Sequence, residues 1–284
     1  MSSEIISTEI AGFPALRVCG GPNRPTLMFI HGAFTTHEPW RAWMVRLAEH
    51  GWPSVATALR GRLGVAPNRA KGLRFADYLH DTMRVIDELG QAPIIVGHSL
   101  GGLIAQKVAE AGRCQAMVLL APAPAAMLTA QPVALPAYLP MVPKILTGRP
   151  VLPSKSGCAR IALNRMPVDQ QPECHASLVH ESGIVYRELM FGAVTVDAKR
   201  ITCPTYVLGG TQDRIVSQSL LRFTAQRYQA KLQVLEGHAH WLLEEPGWEA
   251  IADDVATWLH DELLGLQRQQ RGTVLPLTNL GQSA

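Results

Sequence analysis

The first 120 residues alternate short apolar, β-rich runs with stretches of helical period, the pattern of parallel strands with helices on both faces of a sheet. Glu4 to Ile10 and Ala15 to Cys19 predict a leading hairpin. Thr26 to Ile30 (TLMFI) is apolar at every position but its first, which suits a strand at the centre of a sheet covered on both sides. Trp40, Trp43, Met44 and Leu47 then recur at helical spacing, and Gly51 closes that helix. Ser54 to Ala58 predicts another strand. Phe75 to Leu89 predicts an amphipathic helix with Tyr78, Leu79, Met83, Ile86 and Leu89 on one face, stopped by Gly90. Pro93 to Val96 (PIIV) and Ala116 to Leu120 (AMVLL) are further buried strands, with a helical run to about Ala111 between them.

Between Pro122 and Pro172 the period is lost, because ten prolines forbid long helices and central strands alike. Short helices in a cap fit best, and apolar residues such as Leu128, Leu135, Leu139 and Ile145 require the segment to pack on something. Sheet-like alternation returns at Cys203 to Leu208 and Lys231 to Leu235, with helices from about Ser217 to Tyr228 and from about Trp248 to Leu264. The expected organisation is a core at 1–121 and 198–264, a helical cap at 122–197, and a tail at 265–284 that shows no clear period.

Composition narrows the function classes. With 284 residues, 47% hydrophobic and 17% charged, the chain can bury the core of one large α/β domain with an insertion. The net charge of +3 is slight and the 26 basic residues are scattered, which excludes a phosphate-tracking stripe and hence nucleic acid as a partner. The first eleven residues lack the basic start and apolar core of a signal peptide, so a cytoplasmic protein is expected. The longest apolar stretch, Met117 to Ala130, is broken by two prolines and falls short of the roughly 18 residues of a membrane span. Five widely spaced cysteines without a CxxC pair point to buried reduced thiols rather than disulfides or zinc, and no metal or cofactor is expected. Lys144, Arg149, Lys155, Arg160 and Arg165 are read as solvated cap positions, with attraction of an anionic group as the alternative.

The chemistry is carried by Gly97-His98-Ser99-Leu100-Gly101, set between PIIV and a helix. Such a turn is tight enough that side chains at 97 and 101 would strike neighbouring backbone, and it lifts Ser99 above the sheet edge at the positive end of the following helix. A serine hydroxyl needs a base and an orienting acid. Asp213, just beyond a buried strand, is the candidate acid. His238 and His240, in the loop after the next strand, are both candidate bases, and only one can sit between Ser99 and Asp213.

With this order of serine, aspartate and histidine, a loop opening His31-Gly32 and an insertion after the sixth strand, the chain resembles the α/β-hydrolase superfamily over about residues 4–264. The resemblance implies a mostly parallel sheet with helices on both faces. It favours His240 over His238, because a bulky residue, Trp241, and then an acid and a proline, Glu245-Pro246, follow it. It implies an oxyanion hole made by the backbone N–H groups of Ala33 and Leu100, with Phe34 as the alternative donor or a wall of the acyl pocket. His31 is expected to brace its loop and His98 to pack. Phe34, His98, Met127, Tyr138 and Trp241 are expected to bound the substrate. Trp40 and Trp43 are assigned to core packing. One departure is Ala58-Leu59-Arg60-Gly61-Arg62-Leu63-Gly64-Val65, where relatives carry an acid and then Gly-x-Gly-x-Ser.

A serine at the elbow excludes the aspartate-dependent branches of that superfamily. The expected reaction is hydrolysis of a small-molecule ester or lactone through an acyl-enzyme. The rivals are a carbon–carbon hydrolase or perhydrolase using the same residues, and a ligand sensor that retains a hydrolase pocket; the oligomeric state is left open.

Overall fold

The computed structural model describes residues 4–21, 24–62, 67–127 and 131–272. Among them eight strands form one sheet in the order β1-β2-β4-β3-β5-β6-β7-β8. These are β1 (Ile5–Ile10), β2 (Phe13–Val18), β3 (Leu27–Ile30), β4 (Ser54–Thr57), β5 (Ile94–His98), β6 (Ala116–Leu120), β7 (Thr205–Gly210) and β8 (Lys231–Leu235). The β1–β2 hairpin and the β2–β4 pair are antiparallel, and every pair from β4 through β8 is parallel.

Strand periodicity divides the core into two layers. Met28, Ile30, Ile95, Met117, Leu119 and Val207 face one side, with α2 (Phe75–Leu89), α3 (Leu100–Glu110) and α9 (Gln218–Arg227) packed on them. Leu27, Phe29, Val96, Val118, Leu120 and Leu208 face the other, against α1 (Arg41–Glu49) and α10 (Trp248–Gly272). Trp40 and Trp43 are fully buried in this second layer, Trp40 against Phe29 and Trp43 donating its indole N–H to the Leu243 carbonyl, so both belong to the core. Helix α2 spans the predicted residues and ends where Gly90 takes a left-handed φ of 68°. Helix α10 runs to Gly272, past the predicted end near Leu264, and 273–284 lie outside the described residues.

Between β6 and β7 the α-helices of the described residues are all short: α4 (Leu135–Tyr138), α5 (Val142–Leu146), α6 (Lys155–Ile161), α7 (Gln171–Ala176) and α8 (Gly183–Met190). Pro132, Pro136, Pro140 and Pro143 each stand in the first turn of a helical piece, where the missing N–H costs nothing. Ala134, Ala137, Tyr138, Met141 and Ile145 turn inward and join the first core layer. Leu128, expected to pack here, lies outside the described residues.

A buried ion pair ties this segment to the sheet. Arg62, with no exposed side-chain surface, pairs with the equally buried Glu181, and the Tyr78 hydroxyl donates to Glu181 Oε1 at 2.7 Å. Arg62 also donates to the His180 carbonyl at 3.0 Å. The departure from the usual loop sequence thus carries ion pairs at both of its arginines, since the neighbouring Arg60 binds Asp81 and Asp77 of α2; Leu63 to Val65 lie outside the described residues. Lys144, Arg149, Lys155, Arg160 and Arg165 are all exposed. All five cysteines are free, but only Cys114 and Cys158 are buried; Cys19, just past the end of β2, is exposed, which corrects the expectation of uniformly buried thiols. Among the described residues no helix is long and apolar enough to cross a membrane.

Candidate active site

Strand β5 runs directly into α3 through Ser99, whose φ of 52° and ψ of −114° are strained for a residue with a side chain. The strain is held by hydrogen bonds on both sides. The Ser99 N–H donates to the Leu120 carbonyl at 3.0 Å, and its own carbonyl accepts from the Gly102, Leu103 and Ala123 N–H groups. The glycines are required by contact: a Cβ at Gly97 would lie 2.4 Å from the Gly101 oxygen, and one at Gly101 would lie 2.1 Å from the Ile30 oxygen.

Asp213 follows β7 in a turn that buries its carboxylate. Its Oδ1 accepts from the Ile215 N–H at 2.7 Å and the Val216 N–H at 2.9 Å, leaving Oδ2 to accept from His240 Nδ1 at 2.9 Å. The other ring nitrogen, Nε2, lies 3.1 Å from Ser99 Oγ. Asp213 fixes the proton on Nδ1, so Nε2 is free to accept from the serine hydroxyl. Of the two candidate histidines, His240 therefore occupies the place between Ser99 and Asp213.

His238 points away and pairs with Glu245, its Nδ1 3.0 Å from Oε1. The buried Glu245 carboxylate also accepts from the Ala239 N–H, at 3.0 and 3.1 Å, so it clamps the backbone that carries His240. Burial raises the Glu245 pKa against the lowering effect of these donors. This clamp was not foreseen, although the family resemblance had marked Glu245. The loop is joined to the Asp213 turn by the Gln212 N–H, which donates to the His238 carbonyl at 2.8 Å.

His31 and His98 are structural in their contacts. His31 is fully buried, donates from Nδ1 to the Gly32 carbonyl and accepts at Nε2 from the Leu59 N–H at 3.1 Å. Burial holds its pKa well below the ordinary imidazole value. His98 donates from Nε2 to the His240 carbonyl at 2.8 Å, and burial lowers its pKa to about 3. Both are neutral in the folded protein near pH 7.

Above Ser99 lies a cavity closed by the segment between β6 and β7. Ala33, Phe34, His98, Tyr138 and Trp241 line it, as do His240 and Ser99. Met127 does not; it packs at the edge of the first core layer, beside Gly192. The wall also includes Met141, Leu178, Tyr186, Leu189 and Met190, which were not singled out from sequence because their placement depends on how the short helices fold back. No Asp, Glu, Lys or Arg lines the cavity among the described residues. Tyr186 sits with its ring 4.9 Å from that of Phe34 and 6.2 Å from that of Tyr138, and burial pushes the Tyr138 hydroxyl up to about 12. Phe34 has a left-handed φ of 64°, and its carbonyl accepts from the Val179 N–H at 2.7 Å, which joins the loop after β3 to the roof. The N–H groups of Ala33 and Leu100 carry no protein hydrogen bond among the described residues, and both belong to segments that border Ser99.

A sequence profile described as "Alpha/beta hydrolase family" matches residues 27–254. The chain is similar to a monoacylglycerol lipase of Mycolicibacterium smegmatis (strain ATCC 700084 / mc(2)155), 29% identical over 185 residues, which cover 60% of this chain and 62% of the lipase. The chain spans 34% and 62% of the length of the first two curated relatives it matches. Among solved structures, the monoacylglycerol lipase of Paleococcus ferrophilus aligns with a TM-score of 0.66 at 21% identity, covering 87% of this chain and 98% of that one. A 2-hydroxy-6-oxo-6-phenylhexa-2,4-dienoate hydrolase of Rhodococcus sp. strain RHA1 also aligns at 0.66 and 21%, covering 89% and 98%. At these identities the two structures share the fold with this chain.

Proposed function

Because the chain belongs to the alpha/beta hydrolase family, we propose that it is a serine hydrolase that cleaves a neutral carboxylic ester or lactone through an acyl-enzyme. The observation that carries this reading is the hydrogen-bond chain from Ser99 through His240 to Asp213 at 3.1 and 2.9 Å. Ser99 Oγ attacks the carbonyl carbon while His240 Nε2 takes its proton. The oxyanion of the tetrahedral intermediate is met by the Ala33 and Leu100 N–H groups, and the positive end of α3 adds to that stabilisation. The imidazolium then gives its proton to the departing alkoxide. In the second half His240 takes a proton from water, the hydroxide attacks the acyl carbon, and Ser99 leaves with its proton restored. Asp213 holds the imidazole tautomer and stabilises the imidazolium throughout. The segment 122–197 acts as the cap that excludes bulk water and sets substrate size.

Monoacylglycerol lipases among the relatives agree with ester cleavage, whereas the dienoate hydrolase raises the carbon–carbon alternative. A dienoate is an anion, and burying its carboxylate calls for a cationic partner. The absence of any Lys or Arg from the described cavity wall favours a neutral substrate. Products identified by mass spectrometry from a panel of neutral esters, lactones and a 2-hydroxy-6-oxodienoate test this. The expected result is acid and alcohol from the neutral substrates with an early burst of alcohol; faster cleavage of the dienoate overturns the assignment. Multiple turnovers by the isolated protein separate an enzyme from a ligand sensor.

A further inference from the structure

From Pro132 to Leu146 the roof of the cavity is an unbroken succession of short helical pieces. One stripe of this run, Ala134, Ala137, Tyr138, Met141 and Ile145, is buried, and Tyr138 and Met141 look into the cavity. A second stripe, Leu135, Leu139, Val142 and Leu146, repeats at the same i, i+4, i+7, i+11 spacing about a quarter turn round. Its leucines are turned to solvent, being 48%, 64% and 55% exposed, and Val133 beside them is 46% exposed. Pro136, Pro140 and Pro143 extend the same apolar surface and are also exposed. A run that is apolar on its outer as well as its inner side is left uncovered on its outer side by the described residues.

The charge around this face has one sign. From Gln115 to Val168 the sequence contains no Asp or Glu, and its five cations, Lys144, Arg149, Lys155, Arg160 and Arg165, are all exposed. Arg187 adds a sixth, donating to the Leu146 carbonyl at 2.7 Å. The nearest acids from α8 and its lead-in are engaged elsewhere: Glu181 is buried with Arg62, and Glu188 accepts from the Phe75 N–H. The exposed acids of the segment, Asp169, Glu173 and Asp197, lie before α7, within it and at the far end of the segment beyond α8. A two-fold pairing of this face with a second copy would set Lys144 and Arg149 against cations of the same kind. An anionic lipid surface meets both features, taking the leucines into its interface and the cations at its head groups.

We propose that the outer face of Pro132 to Leu146 docks the protein on an anionic lipid surface, with Val133, Leu135, Leu139 and Leu146 inserted and Lys144 and Arg149 held at the head groups. Docking on this face places the roof of the cavity, through Tyr138 and Met141, at the lipid boundary. The proposal rests on no assumption about catalysis.

Co-sedimentation of the full chain with vesicles tests it, using phosphatidylcholine alone or mixed in equal parts with phosphatidylglycerol. The wild type is expected to sediment with the mixed vesicles, and less with phosphatidylcholine alone. Lys144→Gln with Arg149→Gln should weaken binding about 25-fold, at about fivefold for each cation lost. Leu135→Asp with Leu139→Asp should abolish it while leaving the melting temperature unchanged, since both side chains are exposed. A wild type that stays in the supernatant with mixed vesicles overturns the proposal. So does a leucine double variant that binds as the wild type does, or a lipid-free dimer that this variant dissociates.

Discussion

The floor and the roof of the cavity are built by different means. Beneath Ser99 the geometry is written in backbone: parallel strands in register, a strained turn and glycines that admit no Cβ. Above it the chain turns repeatedly at prolines, and the roof is tied to the core by side chains and single contacts, foremost the Arg62–Glu181 pair and the Val179 N–H to Phe34 carbonyl bond. Backbone geometry tolerates almost no substitution at its tight points, whereas a roof held by a few side chains can vary its inner surface while the floor stays constant. That division suits a scaffold in which the reaction is fixed and the substrate is not.

Loss of the reacting groups should show the largest effect. Ser99→Ala and His240→Ala should each lower kcat/KM on an ester by at least about 10⁴-fold, while His238→Ala costs less than about tenfold because it touches only the clamp. Steady-state kinetics on the three variants checks this, and equal losses in the two histidine variants would break the assignment.

The contrast in tightness is next. Gly101→Ala, with its Cβ 2.1 Å from the Ile30 oxygen, should cost more than about 4 kcal/mol or prevent folding. Gly157→Ala in α6 meets Ser154 Oγ at 3.0 Å and should cost less than about 1.5 kcal/mol, partly offset by helix propensity. Urea unfolding of both variants compares floor with roof directly.

For the tie between them, Arg62→Met alone should destabilise by about 3 to 5 kcal/mol, because it strands a buried carboxylate. Combining it with Glu181→Leu should recover much of that loss, and a double-mutant cycle reads the coupling. A single variant as stable as the wild type would mean that the roof does not depend on this pair.

Counted per pH unit, the smallest effect is in acid. His98 titrates near 3 when folded and near 6.5 when unfolded, so its contribution to stability is complete above pH 6.5 and is lost as the pH falls towards 3. His31 acts in the same direction. Each should add about 1.4 kcal/mol of destabilisation per pH unit within its window. Unfolding free energies measured from pH 7 to 4 should fall with the two contributions added, and His98→Asn should remove one of them; an unchanged slope in that variant would contradict the assignment.

The same division explains what could be read from sequence. The strands and α2 were legible because alternation and helical period are local, and because Gly90 stops α2 in a conformation glycine favours. Ser99, Asp213 and the two histidines were marked by their place after predicted strands, and the spacing to Glu245-Pro246 singled out the histidine that lies between the other two. The pairing of Arg62 with Glu181 was not legible, since it joins segments 119 residues apart. Tyr186, Leu178 and Met190 were missed as cavity wall for the same reason, and Met127 was placed there on composition alone. The continuation of α10 to Gly272 was hidden because the glutamine-rich end of the helix has no apolar stripe to announce it.

The most direct test of the account is the intact mass of the protein after exposure to a fluorophosphonate, which reports an activated serine without a choice of substrate. The wild type should gain a single adduct, Ser99→Ala none, and His240→Ala should react far more slowly than His238→Ala. An adduct that persists in Ser99→Ala, or a wild type that stays unlabelled, would contradict it.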